Sequence, residues 1–60
     1  MKTEKQILSA LLATLAELQS GTVEKDSNLE SYLRGRLLTL NEILGDDVPE
    51  EWWNQIEEWI

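Results

Sequence analysis

The sequence predicts an all-α fold, a compact up-down-up bundle of three helices over approximately residues 4–19, 28–44 and 48–60, either monomeric or dimeric. Three observations predict it. Apolar residues recur at helical spacing in three separate stretches, each stretch opens on a capping signal, and none alternates with the two-residue period of a strand. Two short connections between three helices favour antiparallel neighbours. With no internal repeat and no low-complexity tract, the chain reads as one small helical domain over residues 1–60.

The first helix has the widest apolar face. Thr3 followed by Gln6 is a capping-box start, and Ser20-Gly21 is a stop. On a helical wheel Ile7, Leu8, Leu11, Leu12, Leu15, Ala16 and Leu18 fill an arc of about 180°. That width suits the central helix, touching two neighbours. Residues 20–28 are polar apart from Val23 and form the main loop. Its oxygen-bearing side chains lack the alternation, central glycine and terminal Glu of a calcium loop.

The second helix starts at a second capping box, Ser27 with Glu30, and ends at Leu44 with Gly45 in the C′ position. Leu29, Leu33, Leu37, Leu40 and Leu44 form its core stripe, flanked by Tyr32 and Ile43. Leu38 points about 140° away from that stripe, and Gly35 lies on the same outer side at a helix-propensity cost of about 1 kcal/mol. A glycine beside an outward leucine lets another helix approach. Ser31, Arg34, Gly35, Leu38 and Glu42 are therefore a candidate contact surface, for a homodimer or for another protein. Arg36, at the edge of the stripe, is expected to pair with an acid of the C-terminal segment.

Asp46 and Asp47 make a short turn, with Asp47 expected to cap the third helix and Pro49 acceptable in its first turn. On the wheel Val48, Trp52, Trp53, Ile56, Trp59 and Ile60 gather within about 140°, opposite Glu50, Glu51, Asn54, Glu57 and Glu58. Trp52 and Ile56 are expected in the core. Trp53 and Trp59 lie at the edges of the arc, where an indole is either the rim of the core or a binding hot spot. Glu50 and Glu51 suit a helix N-terminus, whereas Glu57 and Glu58 oppose the dipole at the C-terminal end. That small penalty hints at carboxylates kept for a partner.

Composition narrows the function. There is no cysteine and no histidine, so no disulfide, no thiolate site and no imidazole general base are available. No metal, cofactor or catalytic residues are expected, and no nucleophile, phosphate-loop or zinc motif occurs. The opening stretch is interrupted by Glu4, Gln6 and Glu17, unlike a signal peptide or a spanning helix. A soluble cytoplasmic protein is the resulting expectation.

The net charge of −7 is strongly uneven. Residues 1–41 balance Glu4, Glu17, Glu24, Asp26 and Glu30 against Lys2, Lys5, Lys25, Arg34 and Arg36. Residues 42–60 carry Glu42, Asp46, Asp47, Glu50, Glu51, Glu57 and Glu58 with no base. Phosphate contacts need Lys and Arg, so direct binding to nucleic acid or to an anionic membrane is not expected. The expected function is non-catalytic protein binding, regulatory, adaptor or inhibitory. Trp53, Trp59, Glu50, Glu57 and Glu58 would serve it on the third helix, and Arg34, Gly35, Leu38 and Glu42 on the second. A self-assembling module and an acidic mimic of nucleic acid that covers a basic surface are the alternatives.

Overall fold

The structure, a computed structural model, describes residues 3–60. It holds three α-helices, α1 (Glu4–Gln19), α2 (Asn28–Leu44) and α3 (Glu50–Glu57), with a 3-10 turn at Gly45–Asp47 between the last two. Helices α1 and α2 match the spans that the capping signals predict. At the start of α1, Thr3 Oγ1 accepts from the Gln6 amide at 3.2 Å while the Thr3 amide donates to Gln6 Oε1 at 2.8 Å, so both groups are satisfied reciprocally. At α2 the box is half closed. Ser27 Oγ accepts from the Glu30 amide at 3.1 Å, but the Glu30 carboxylate accepts instead from the Asp26 amide at 3.3 Å. Asp26 has a left-handed φ of 63°, a conformation a short polar side chain tolerates.

Helix α3 is shorter than the apolar pattern suggests. Proline disfavours the helical conformation in the residue before it, and Val48 is accordingly extended at φ −75°, ψ 124°. The helix therefore starts after Pro49, which caps it with no side-chain hydrogen bond, so the expected Asp47 cap does not form. Gly45 turns the chain at φ 54° and ψ −124°, in the region that only glycine enters without strain. Beyond Glu57 the chain leaves the helix, and Ile60 is exposed.

The core is Leu11, Leu15 and Leu18 of α1, Leu33, Leu37 and Leu44 of α2, Val48, and Ile56 of α3. Leu11, Leu37 and Ile56 are wholly inaccessible, and each buried aliphatic side chain stabilises the fold by about 1.5–3 kcal/mol. Trp52, Trp53 and Trp59 pack against this cluster with part of each indole accessible, and Val23 pins the long loop to it. The stripes are rotated from those expected. Ala16 is exposed and Thr14 takes an inward place; Leu29 is exposed and Asn41 is buried.

Antiparallel neighbours follow from the cross-contacts. Thr14 of α1 meets Arg36 of α2, Gln19 Nε2 donates to Gln55 Oε1 at 2.8 Å, and Arg34 reaches Trp59. The chain thus runs up, down and up. Its principal extents are 30 × 25 × 16 Å. Among the described residues no helix is long and apolar enough to cross a membrane.

Candidate functional site

The grooves described below are open to solvent, so the candidate sites are surfaces. The first is the outer side of α3. Glu50, Glu51, Glu57 and Glu58 are exposed there, and the amphipathic pattern puts them opposite the indoles as the wheel predicts. Trp53 is half-buried and lines a groove of about 690 Å³ with Asp46, Asp47, Val48, Pro49, Glu50 and Asn54. An indole floor with a carboxylate rim suits a cationic side chain. Trp59 rests on the core at the other end, and its indole nitrogen is buried without a partner among the described residues. Its polar edge is therefore turned inward, away from any visiting surface.

The second surface is the outer side of α2. Tyr32, Leu38 and Ile43 are 62%, 41% and 61% exposed along it, and Leu29, half a turn round the helix from Leu38, is 50% exposed. Single exposed apolar residues are ordinary, but clusters mark contact sites. Between Tyr32 and Leu38 around the helix sits Gly35, where an added Cβ would meet nothing within 4 Å. A groove of about 520 Å³ lined by Ser31, Tyr32, Gly35, Arg36, Thr39 and Leu40 runs along this side. Glu42 is exposed, one turn beyond Leu38 on the same side.

Both arginines have internal partners that the sequence does not announce. Arg34 Nε donates to the Trp59 carbonyl at 2.6 Å, and Arg34 Nη1 lies 3.9 Å from Glu30 Oε1. Arg36 Nε donates to Thr14 Oγ1 at 3.2 Å, and Thr14 Oγ1 in turn donates to the Ala10 carbonyl at 2.7 Å. The expected pairing of Arg36 with a C-terminal acid is therefore replaced by a hydroxyl on α1. Lys5 is exposed on α1, and Lys2 lies outside the described residues.

Sequence reasoning placed Arg34, Gly35, Leu38 and Glu42 on one surface, and the structure brings them together there. It also placed Trp53 and Trp59 at the border of the core, where both are found. Leu29, which the spacing puts in the core stripe, and Tyr32 and Ile43, which it puts at the flank, are exposed. Asn41 lies between Leu37 and Leu44 at helical spacing, and counting it with them turns the buried arc away from Leu29.

Electrostatics adds one strained pair. The Asp47 carboxyl, by hydrogen bonding to Glu4 and by its like charge, holds the Glu4 carboxyl above the usual carboxylate range, with a smaller contribution from burial. Among the described residues no three carboxylates converge to hold a metal ion. Comparison with protein-family models, with curated proteins and with solved structures finds no match to this chain.

Proposed function

We propose that this chain is a small acidic protein-binding module without catalytic activity, which docks on another helix through the outer face of α2 and presents the carboxylates of α3 beside it. The observation that carries this reading is the exposure of Leu38 on one side of the open position at Gly35 and of Tyr32 and Ile43 on the other. Helix-in-groove recognition uses apolar anchors of this kind along one face. The acidic C-terminal segment supplies steering toward a basic surface more than it supplies affinity.

Capture by the immobilised chain tests the reading. Wild type, Leu38→Glu and the pair Glu57→Lys, Glu58→Lys would be compared as baits, with the chain itself scored among the captured proteins. Loss of the same bound protein on Leu38→Glu supports the α2 face. Identical capture by all three baits would sink the proposal. Within it, mimicry of nucleic acid requires binding that weakens steeply as salt rises, so salt-insensitive binding retires that version.

A further inference from the structure

We propose that the Leu38 side of the outer face of α2 is a two-fold docking surface for a second copy of this chain, held by reciprocal Arg34–Glu42 pairs about a central Leu38. The inference deepens the function proposed above and rests on it for the choice of face.

The charge pattern identifies the occupant. Arg34, Leu38 and Glu42 follow one another at intervals of one helical turn, so Arg34 and Glu42 stand about 6 Å on either side of Leu38 along the helix axis. They also lie about 40° to opposite sides of it around the helix. A two-fold axis in the contact plane, perpendicular to the ridge that Arg34, Leu38 and Glu42 form, turns that ridge end for end, with the two helices crossing obliquely at the roughly 50° of such ridge packing. It sets Leu38 on Leu38 of the second copy and brings Arg34 of each chain beside Glu42 of the other. Opposite charges placed symmetrically about one apolar residue are what an isologous interface needs, because every contact in it occurs twice.

The neighbouring side chains leave room for that approach. Ser31 and Gly35 lie about 20° and 60° from Leu38 around the helix. Ser31 is short, and Gly35 has open space before it. The two backbones can therefore come close enough for the leucines and both charge pairs to meet. Tyr32 and Ile43 lie about 120° and 140° from Leu38 around the helix and stay outside the central contact.

The charged groups are available. Glu42 is exposed and has no hydrogen-bond or ion-pair partner among the described residues. Arg34 uses its Nε hydrogen on Trp59, and the side chain remains 49% accessible. Its terminal nitrogens carry further donors for a carboxylate. A domain of this size without disulfide or metal also stands to gain from association.

A charge-swap experiment tests the proposal. Glu42→Arg and Arg34→Glu are made in separate chains, and association is followed by sedimentation equilibrium and light scattering, with helix content checked by circular dichroism. Wild type is expected to dimerise, and each variant alone to lose about tenfold or more in dimer affinity through like charges facing each other. Mixing the two variants restores dimers, because the two guanidinium groups of one chain then face the two carboxylates of the other. Leu38→Glu, at a position 41% exposed and outside the core cluster, should also be monomeric, and it decides the matter with Glu42→Arg if Arg34→Glu fails to fold. A monomeric wild type at millimolar concentration overturns the two-fold interface, as does a Glu42→Arg chain that associates like wild type. If that monomer still captures another protein in a manner abolished by Leu38→Glu, the α2 face survives as a binding surface and only its occupant changes.

Discussion

Arg34 in the middle of α2 donates its Nε hydrogen to the carbonyl of Trp59 at 2.6 Å, tying the end of the chain to a helix twenty-five positions earlier. The bond lies just past the last turn of α3, where carbonyls have no intrahelical donors. It also places a positive charge beside Glu58, in a segment whose own charges oppose the helix dipole. Replacing Arg34 by Met keeps the aliphatic stem and removes the donor. The expected result is faster amide hydrogen exchange over residues 56–60 and a loss of about 1 kcal/mol in stability. Unchanged exchange there would show that the Trp packing alone holds the segment.

The core predicts a steep contrast between leucines of the same helix. Leu37 is fully buried and Leu29 is half exposed. Leu37→Ala should cost about 2–5 kcal/mol, enough to unfold much of so small a domain, while Leu29→Ala in the monomer should stay within about 0.5 kcal/mol. Urea denaturation of the two variants measures the difference. Equal losses would mean that the buried arc of α2 is misplaced.

Gly35 weakens the helix without any close neighbour to require it. Gly35→Ala is therefore expected to stabilise the isolated fold by about 1 kcal/mol, the propensity difference between the two residues. Gly35→Trp should leave the fold intact and abolish association, because the indole fills the space another helix would use. Association that persists in Gly35→Trp would place the contact elsewhere.

Asn41 occupies a core position with its Oδ1 buried and unpartnered. An apolar replacement removes the desolvation cost of that oxygen, so Asn41→Leu should raise stability by about 1 kcal/mol. A thermal melt at fixed protein concentration reads this directly. Destabilisation instead would show that the amide has a partner it cannot spare.

The Glu4–Asp47 pair predicts a pH dependence with a definite sign. The folded state holds Glu4 above its unfolded pKa, so protonated Glu4 favours folding. That contribution is complete below the ordinary Glu value of about 4.3 and is lost as the pH rises through the raised one. Asp47→Asn removes the repulsion while leaving Glu4 at the start of α1. The variant should melt above wild type at neutral pH, with the gap closing on acidification below about pH 4. A gap that widens on acidification would contradict the pairing.

Much of the architecture was legible because it is local. Thr3 with Gln6, Ser27 and Gly45 set the ends of α1 and α2 through bonds within one turn, and helical spacing alone separated the indoles of α3 from its carboxylates. The shorter third helix was legible too, in the constraint Pro49 imposes on Val48, but the apolar run through Val48 concealed it. What sequence could not supply was the angle at which each helix meets its neighbours. That angle buries Thr14 and Asn41, leaves Ala16 and Leu29 exposed, and turns Tyr32 and Ile43 outward on the same helix as Leu38.

The partners of Arg34 and Arg36 belong to the same class. No spacing along the chain tells that Arg34 reaches Trp59 or that Arg36 reaches Thr14, because each bond joins groups brought together only when α2 packs between its neighbours. The sequence by itself determined an all-α chain, three amphipathic helices and an acidic C-terminal segment, since periodicity, caps and charge are properties of neighbouring residues. Tertiary structure decided which apolar side chains the core could reach. Three short helices cannot cover every apolar side chain they carry, and on α2 those left over are Leu29, Tyr32, Leu38 and Ile43.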